Sequence, residues 1–156
     1  MRMPLALFPL VLAGCLSASA PPTIQPELPV LAYCDLIADP VRYNEQVVRV
    51  RATYSSGFEH SFFSGDGCDE HRTWVDFSPS YQTNTSKRVR ETFASLDTAT
   101  ELVAVGVFTG VAPTRVVFGR TIHDRFGHMG GYDYHFKLLA IESVTPTHPP
   151  RNKTRR

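Results

Sequence analysis

Apolar and polar residues alternate with a period of two along Val47–Phe58, the most regular stretch of the chain. Apolar side chains stand at every second position, and arginine or threonine stands between them. This spacing is typical of a half-buried strand, because successive side chains of a strand point to opposite faces. The alternating apolar positions are Val48, Val50, Ala52 and Tyr54. A first strand is therefore predicted here, and Gly57 allows it to bend or bulge.

Further strands are predicted from short apolar runs that are bounded by turn residues. Glu101–Gly110 is apolar at both faces and predicts a well-buried strand, whereas Arg115–Gly119 fits either a short edge strand or part of a loop. The remaining predicted strands are His60–Ser64, Thr73–Phe77 and Tyr132–Val144. In the last of these, the residues expected on one face are Tyr132, Tyr134, Phe136 and Leu138.

Two helices are predicted from apolar residues at helical spacing. The first is short and ends at Asp39, because Pro40 disfavours helical geometry in the residue before it. Its apolar face consists of Leu31, Cys34, Leu36 and Ile37. The second helix follows Ser86, a candidate N-cap, and its apolar face consists of Val89, Phe93 and Leu96. The segment "SPSYQTNT" before it is predicted to be a polar connection.

The order of these elements resembles an OB-fold. The resemblance is carried by the turn and long strand of Asp39–Tyr54, by a helix between the third and fourth strands, and by a glycine, Gly106, inside the fourth strand. It implies a mainly β protein, an OB-like small five-stranded barrel with one helix between strands 3 and 4 and a short N-terminal helix. OB-folds bind oligonucleotides, oligosaccharides or proteins through one barrel face and the neighbouring loops.

The chain is also similar to small uncharacterised exported bacterial lipoproteins with an OB-fold-like domain. The matching segments are Cys34-Asp35-Leu36, Pro40, Tyr43, Val48–Arg51, Gly57–Glu59 and Gly127–Tyr132. These motifs indicate a fold and do not indicate a reaction.

The N-terminus is typical of a bacterial lipoprotein signal. Arg2 is followed by a short apolar run, Leu5–Ala13, of about nine residues, whereas a bilayer-spanning helix needs about twenty. Leu12–Cys15 reads "LAGC" and resembles the lipobox, which implies that Cys15 carries the lipid. The competing site, "ASA" at Ala18–Ala20, is followed by a proline that usually blocks cleavage. The alternative is an ordinary secretory signal with an incidental cysteine.

The chain is thereby divided into four parts. Residues 1–14 are the predicted lipoprotein signal peptide, 15–29 a tether rich in proline, serine and alanine, 30–145 the OB-like β-barrel domain and 146–156 a disordered basic tail. The predicted location is the bacterial cell envelope, lipid-anchored to a membrane with the domain extracytoplasmic, on the periplasmic side in a Gram-negative cell.

Two further cysteines, Cys34 and Cys68, remain if Cys15 carries lipid. Export into an oxidising compartment favours a disulfide between them. Its loop of roughly 35 residues would contribute on the order of 4 kcal/mol in the chain-entropy model. Two buried free thiols are the alternative.

Charge argues against a generic nucleic-acid binder, because the formal net charge is only +1. Binding of single-stranded nucleic acid by the OB-like face is kept as an alternative, since that face could present basic and aromatic residues for stacking. The residues in question are Arg49, Arg51, Tyr54 and Trp74.

No catalytic or metal-binding motif is present in the sequence. It has no HExxH, CxxC or GxSxG pattern, so no catalytic residue, metal or cofactor is assigned. The histidines that remain as metal candidates are His60, His71, His128 and His135.

The sequence therefore predicts a lipid-anchored envelope protein of unknown specific activity, a binding or interaction module rather than an enzyme. Its candidate contact surface is Phe58, Phe62, Tyr132 and Tyr134. The expected partners are the membrane, through the N-terminal lipid, and an envelope protein or glycan. A metal-dependent or hydrolytic envelope enzyme that uses loop histidines and carboxylates is the main alternative.

Overall fold

The structure, a computed structural model, describes residues 28–68, 70–96 and 99–146. The predicted signal peptide, Cys15, and almost all of the predicted tether and tail lie outside these ranges. The elements in chain order are β1 (Val30–Ala32), α1 (Tyr33–Ala38), β2 (Gln46–Gly57), β3 (His60–Ser64), β4 (Thr73–Phe77), α2 (Tyr81–Asn84), α3 (Lys87–Ala94), β5 (Thr100–Thr109), β6 (Thr114–Val117), β7 (Arg120–His123), a 3-10 turn (His128–Gly130) and β8 (Tyr134–Pro146).

Five strands form a closed barrel, in the order β2-β3-β4-β8-β5 with β5 pairing back onto β2. The β4–β8 pair is parallel and the other pairs of the barrel are antiparallel. Both helices of the β4–β5 connection lie between the third and fourth barrel strands. This topology confirms the predicted OB-like five-stranded barrel.

Gly106 has a steric role in the closure of the barrel. A Cβ at this position would lie 2.2 Å from the Phe136 ring and 2.5 Å from the Lys137 carbonyl oxygen. The β5–β8 register shifts immediately before Gly106, between Val105 and Gly106. The strand glycine predicted from the sequence is therefore required because the neighbouring strand passes too close for a side chain.

The barrel interior is filled by the alternating residues that the pattern of β2 predicts. Val48, Val50, Ala52 and Tyr54 are all buried. They pack with three fully buried aromatic rings, those of Phe63, Phe108 and Phe136. Complete burial of one such ring stabilises the fold by roughly 1.5–3 kcal/mol.

A disulfide joins α1 to the loop between β3 and β4. Cys34 and Cys68 are bonded, and their Cα atoms lie 5.8 Å apart. The predicted disulfide is thus confirmed.

Ser86 caps α3 as predicted, because its Oγ accepts a hydrogen bond from the Val89 backbone N–H at 3.3 Å. Other details differ from the sequence prediction. The segment expected to be a polar connection contains α2, a short strand β1 runs parallel to β2, and β8 begins at Tyr134 rather than Tyr132.

The chain segment that connects β5 to β8 contains a hairpin, β6–β7, which forms a separate two-stranded sheet. The sequence left Arg115–Gly119 open between strand and loop, and it gave no signal for β7. Phe118 at the hairpin tip is fully exposed. The hairpin closes at its base, where the Asp124 backbone N–H donates to the Pro113 carbonyl at 2.8 Å.

Candidate binding site

Three aromatic side chains form a row across the outer surface of the barrel, which we call the aromatic row: Phe62, Trp74 and His135. The strand register pairs Phe62 with Trp74 and Trp74 with His135. Their sequence neighbours Phe63, Val75 and Phe136 point inward and are buried. The period of two therefore places the row on the opposite face, away from the core.

Residues 124–133, the covering loop, fold back over the aromatic row. Phe126 stacks on the His135 ring, with centroids 5.4 Å apart and planes inclined by 21°. The Tyr132 ring lies 5.1 Å from that of Trp74 and 6.0 Å from that of Phe62. Phe126 and Tyr132 also exchange backbone hydrogen bonds of 2.9 and 3.2 Å, which hold the two ends of the loop together.

Asp76 fixes the orientation of two rings in the aromatic row. Its carboxylate accepts a hydrogen bond from the Trp74 indole N–H at 2.9 Å and lies 3.0 Å from His135 Nε2. Since Asp76 follows Trp74 by two positions on β4, both side chains lie on the same outer face. The indole is consequently held by a polar contact at its edge while Tyr132 packs against it.

A cleft of about 300 Å³ opens beside the aromatic row. It lies between the β2–β3 turn, the start of β4 and the covering loop. Its volume is at the small end of the roughly 300–1,000 Å³ range of ligand sites. The lining residues are Phe58, Glu59, His60, Arg72, His128, Gly131 and Tyr132.

Charged groups of both signs line this cleft. The Glu59 carboxylate lies 3.2 Å from His128 Nε2 and so links the β2–β3 turn to the covering loop. The Arg72 guanidinium lies over the Phe62 ring, 4.8 Å from its centroid, in a cation–π contact.

Two residues at the cleft have a backbone conformation that L side chains rarely adopt. Glu59 has a φ of 59° and Met129, next to His128, has a φ of 53°. Each non-glycine residue in this region costs on the order of 1 kcal/mol. The same conformation occurs at Glu45 and Phe118, outside the cleft, and at Glu59 it forms part of the β2–β3 turn.

Three of the four predicted contact residues come together here. Phe58 is 87% exposed at the cleft, and Phe62 and Tyr132 pack against each other beside it. Tyr134 does not join them, because its ring packs 5.7 Å from that of the buried Phe108. Burial, and then the adjacent Asp133 carboxylate, raise the pKa of the Tyr134 phenol.

The four histidines that were metal candidates do not converge on one point, and they have different partners. His60 and His128 line the cleft, and His135 pairs with Asp76 under the covering loop. His71 lies 3.9 Å from Glu70 instead. Within residues 28–68, 70–96 and 99–146, no group of three or more histidine, cysteine, aspartate or glutamate side chains is arranged to hold a metal ion.

The residues proposed for nucleic-acid stacking do not share one exposed face. Tyr54 points into the barrel and packs edge-on against Phe63. Arg49 forms an ion pair of 2.7 Å with Glu142. Of the four residues proposed, Trp74 alone belongs to the aromatic row.

Three residues of the cleft, Glu59, Arg72 and Gly131, were not selected as candidate site residues in the sequence analysis. Arg72 stands two positions before Trp74, just as Asp76 stands two positions after it. The alternation Arg-x-Trp-x-Asp was the available signal, because an extended segment with this spacing places the three side chains on one side of the chain.

Comparisons with protein-family models, with curated proteins and with solved structures found no match. In the part of the chain that the structure describes, no helix has the length and apolar character needed to cross a bilayer.

Proposed function

We propose that this chain is a lipid-anchored cell-envelope protein whose barrel is a non-enzymatic binding module. The observation that carries the binding role is the cleft, which combines exposed aromatic surface with polar groups from three separate segments. An OB barrel uses this region for ligands, because its second and third strands and the loops at their ends form its binding face. Here those strands are β3 and β4.

The lipid anchor is supported by the "LAGC" sequence at Leu12–Cys15. A palmitate analogue fed to cells that produce the protein is expected to label the wild type and not Cys15→Ala. Equal labelling of the two would contradict the anchor without touching the binding role.

Binding is tested by titrating the folded domain with neutral and acidic oligosaccharides, a single-stranded oligonucleotide and short peptides. Trp74 is the only tryptophan, and its ring packs against Tyr132 of the cleft, so its fluorescence is sensitive to a ligand that contacts Tyr132. Isothermal titration calorimetry provides a second measurement. At least one of these ligands is expected to bind, and Phe58→Ala is expected to weaken that binding at least tenfold.

Phe118→Ala is the matched control for that test. Phe118 is also an exposed aromatic residue, but it lies at the hairpin tip and not in the cleft. Equal weakening by both substitutions, or no binding of any probe, would contradict the proposed site.

A hydrolytic enzyme is the second candidate, and the Asp76–His135 contact favours it. A carboxylate 3.0 Å from an imidazole can orient that ring as a general base. Among the described residues, Asp76 is the only side chain in hydrogen-bond contact with His135. Turnover of a bound ligand by the wild type that is lost in His135→Gln would establish the enzyme and overturn the non-enzymatic proposal.

A further inference from the structure

Arg72 is the only described arginine that lines the cleft, and, like Arg51 and Arg88, it has no carboxylate partner among the described residues. Arg49, Arg115 and Arg125 lie 2.7, 2.9 and 2.9 Å from carboxylate oxygens. No carboxylate of the described residues lies within ion-pair distance of Arg72, and its guanidinium contacts the face of the Phe62 ring. The cleft therefore contains a guanidinium whose charge is not neutralised by a side chain of the described fold.

The N–H groups of this guanidinium make no hydrogen bond to another described residue. They lie in the plane of the guanidinium and suit a carboxylate in a two-point contact. The contact with Phe62 also limits the positions that the Arg72 head group can take. A pre-oriented fork of this kind selects a planar anion rather than any negative charge.

The charge balance around the cleft limits the ligand to few anionic groups. Glu59 lines the cleft, and Asp76 lies on the outer face of β4, the strand that begins directly after Arg72. A polyphosphate backbone would bring several charges against these two carboxylates, and single-stranded nucleic acid needs a groove that is positive along its length. One carboxylate per bound unit is compatible with the single unpaired cation.

The rest of the lining fits a ring that carries hydroxyl groups. Phe58 and Tyr132 offer aromatic faces, whose negative potential attracts the C–H side of a pyranose. His60 and the Glu59–His128 pair offer donors and acceptors for hydroxyl groups. The volume of about 300 Å³ accommodates one or two sugar rings.

An extended peptide fits less well, because peptides commonly add a strand to a free sheet edge. β3 and β4 each pair on both sides within the barrel, so neither offers such an edge at the cleft.

We propose that the cleft binds a carboxylate-bearing sugar of an acidic glycan, with the carboxylate on Arg72 and the sugar ring against Phe58 and Tyr132. This inference rests on the proposed binding function and names its ligand class. In this proposal, Arg72 is the residue that makes the cleft bind acidic sugars more tightly than neutral ones.

The test uses pairs of saccharides that differ in the carboxylate alone or nearly so. One pair is tetragalacturonate and its methyl ester, and the other is the N-acetylglucosamine–N-acetylmuramic acid disaccharide and chitobiose. Calorimetry and Trp74 fluorescence are expected to give at least tenfold tighter binding of the acid in one pair or both. Arg72→Gln is expected to remove that preference, and Arg72→Lys to retain part of it.

Arg88→Gln is the matched control, because Arg88 is an exposed arginine on α3, away from the cleft. An acid preference that survives in Arg72→Gln, or that is equally lost in Arg88→Gln, would overturn the inference. Equal affinity for acid and neutral sugars would also overturn it while leaving the binding module intact. Binding of a peptide or an oligonucleotide without any sugar would likewise overturn the inference and leave the binding module intact.

Discussion

Gly127 is a residue at which the covering loop passes close to the Trp74 ring. Its φ is 71°, and a Cβ would lie 2.4 Å from the Trp74 ring. Gly127→Ala therefore meets a backbone penalty and a steric clash together. We expect a loss on the order of 2 kcal/mol in the free energy of unfolding. Urea unfolding followed by Trp74 fluorescence measures it, and the native emission should shift to the red as the loop leaves the indole.

Gly67→Ala separates the two effects. Gly67 also has a positive φ, 85°, but a Cβ there would meet nothing within 4 Å. It should lose stability through the backbone alone and keep the native emission of Trp74. Identical results for the two variants would mean that packing on Trp74 does not hold the covering loop.

Tyr33 gives the protein a predictable weakness in alkali. Burial raises the pKa of its phenol well above the ordinary value of 10.0, and its hydroxyl contacts the His71 carbonyl at 2.9 Å and the Thr73 hydroxyl at 2.8 Å. Below the ordinary pKa the phenol is protonated in both the folded and the unfolded state. Above it, the unfolded chain ionises first, so the free energy of unfolding falls as pH rises.

Tyr33→Phe should be less stable at about pH 8, by roughly 1–2 kcal/mol for the lost hydrogen bonds. It should also lose less stability than the wild type between about pH 8 and pH 11. Some loss should remain, because burial raises the pKa values of Tyr81 and Tyr134 too. Urea unfolding at both pH values measures the difference, and parallel losses in the two proteins would contradict the role of Tyr33.

The β6–β7 hairpin has an unfavourable residue at its turn. Phe118 and Gly119 connect the strands with φ values of 51° and 75°, and a two-residue turn with both φ values positive favours Asn-Gly. Phe118→Asn should therefore stabilise the hairpin by about 0.5–1 kcal/mol. Hydrogen exchange of the hairpin amides is the suitable measurement, since the hairpin is a separate sheet.

The turn prediction has its control in Phe118→Ala, which removes the exposed ring without supplying a residue that tolerates positive φ. Slower amide exchange in the asparagine variant alone would support the argument. If the amides exchange at the same rate in both variants, the change relative to the wild type comes from the loss of the ring and not from the turn conformation.

The sequence predicted elements whose pattern reflects burial and missed those whose placement depends on distant contacts. The alternation of β2 was readable because one face is buried in the barrel. The hairpin has no buried face, so β7 (Arg120–His123) produced no such alternation. In the same way, Phe58 and Phe62 were found as aromatic residues, whereas Arg72 gains its importance from Phe62 across the β3–β4 pair.

At the scale of the whole molecule, the Cys34–Cys68 disulfide encloses β2 and β3 completely. The double variant Cys34→Ser, Cys68→Ser should lower the free energy of unfolding by about 4 kcal/mol in the chain-entropy model. Thermal unfolding with and without dithiothreitol tests this. Reductant should destabilise the wild type and leave the double variant unchanged, and insensitivity of both would contradict a stabilising disulfide.

Because the β6–β7 hairpin is closed at its base, this segment is a suitable site for replacing or inserting residues. A backbone hydrogen bond joins Asp124 to Pro113, so the two ends of the segment between them lie next to each other. Closing a longer excursion costs little extra, about 0.6 kcal/mol for each doubling of length. A reporter domain or a foreign peptide can therefore replace the hairpin, immediately before the covering loop, while the five barrel strands keep their pairing.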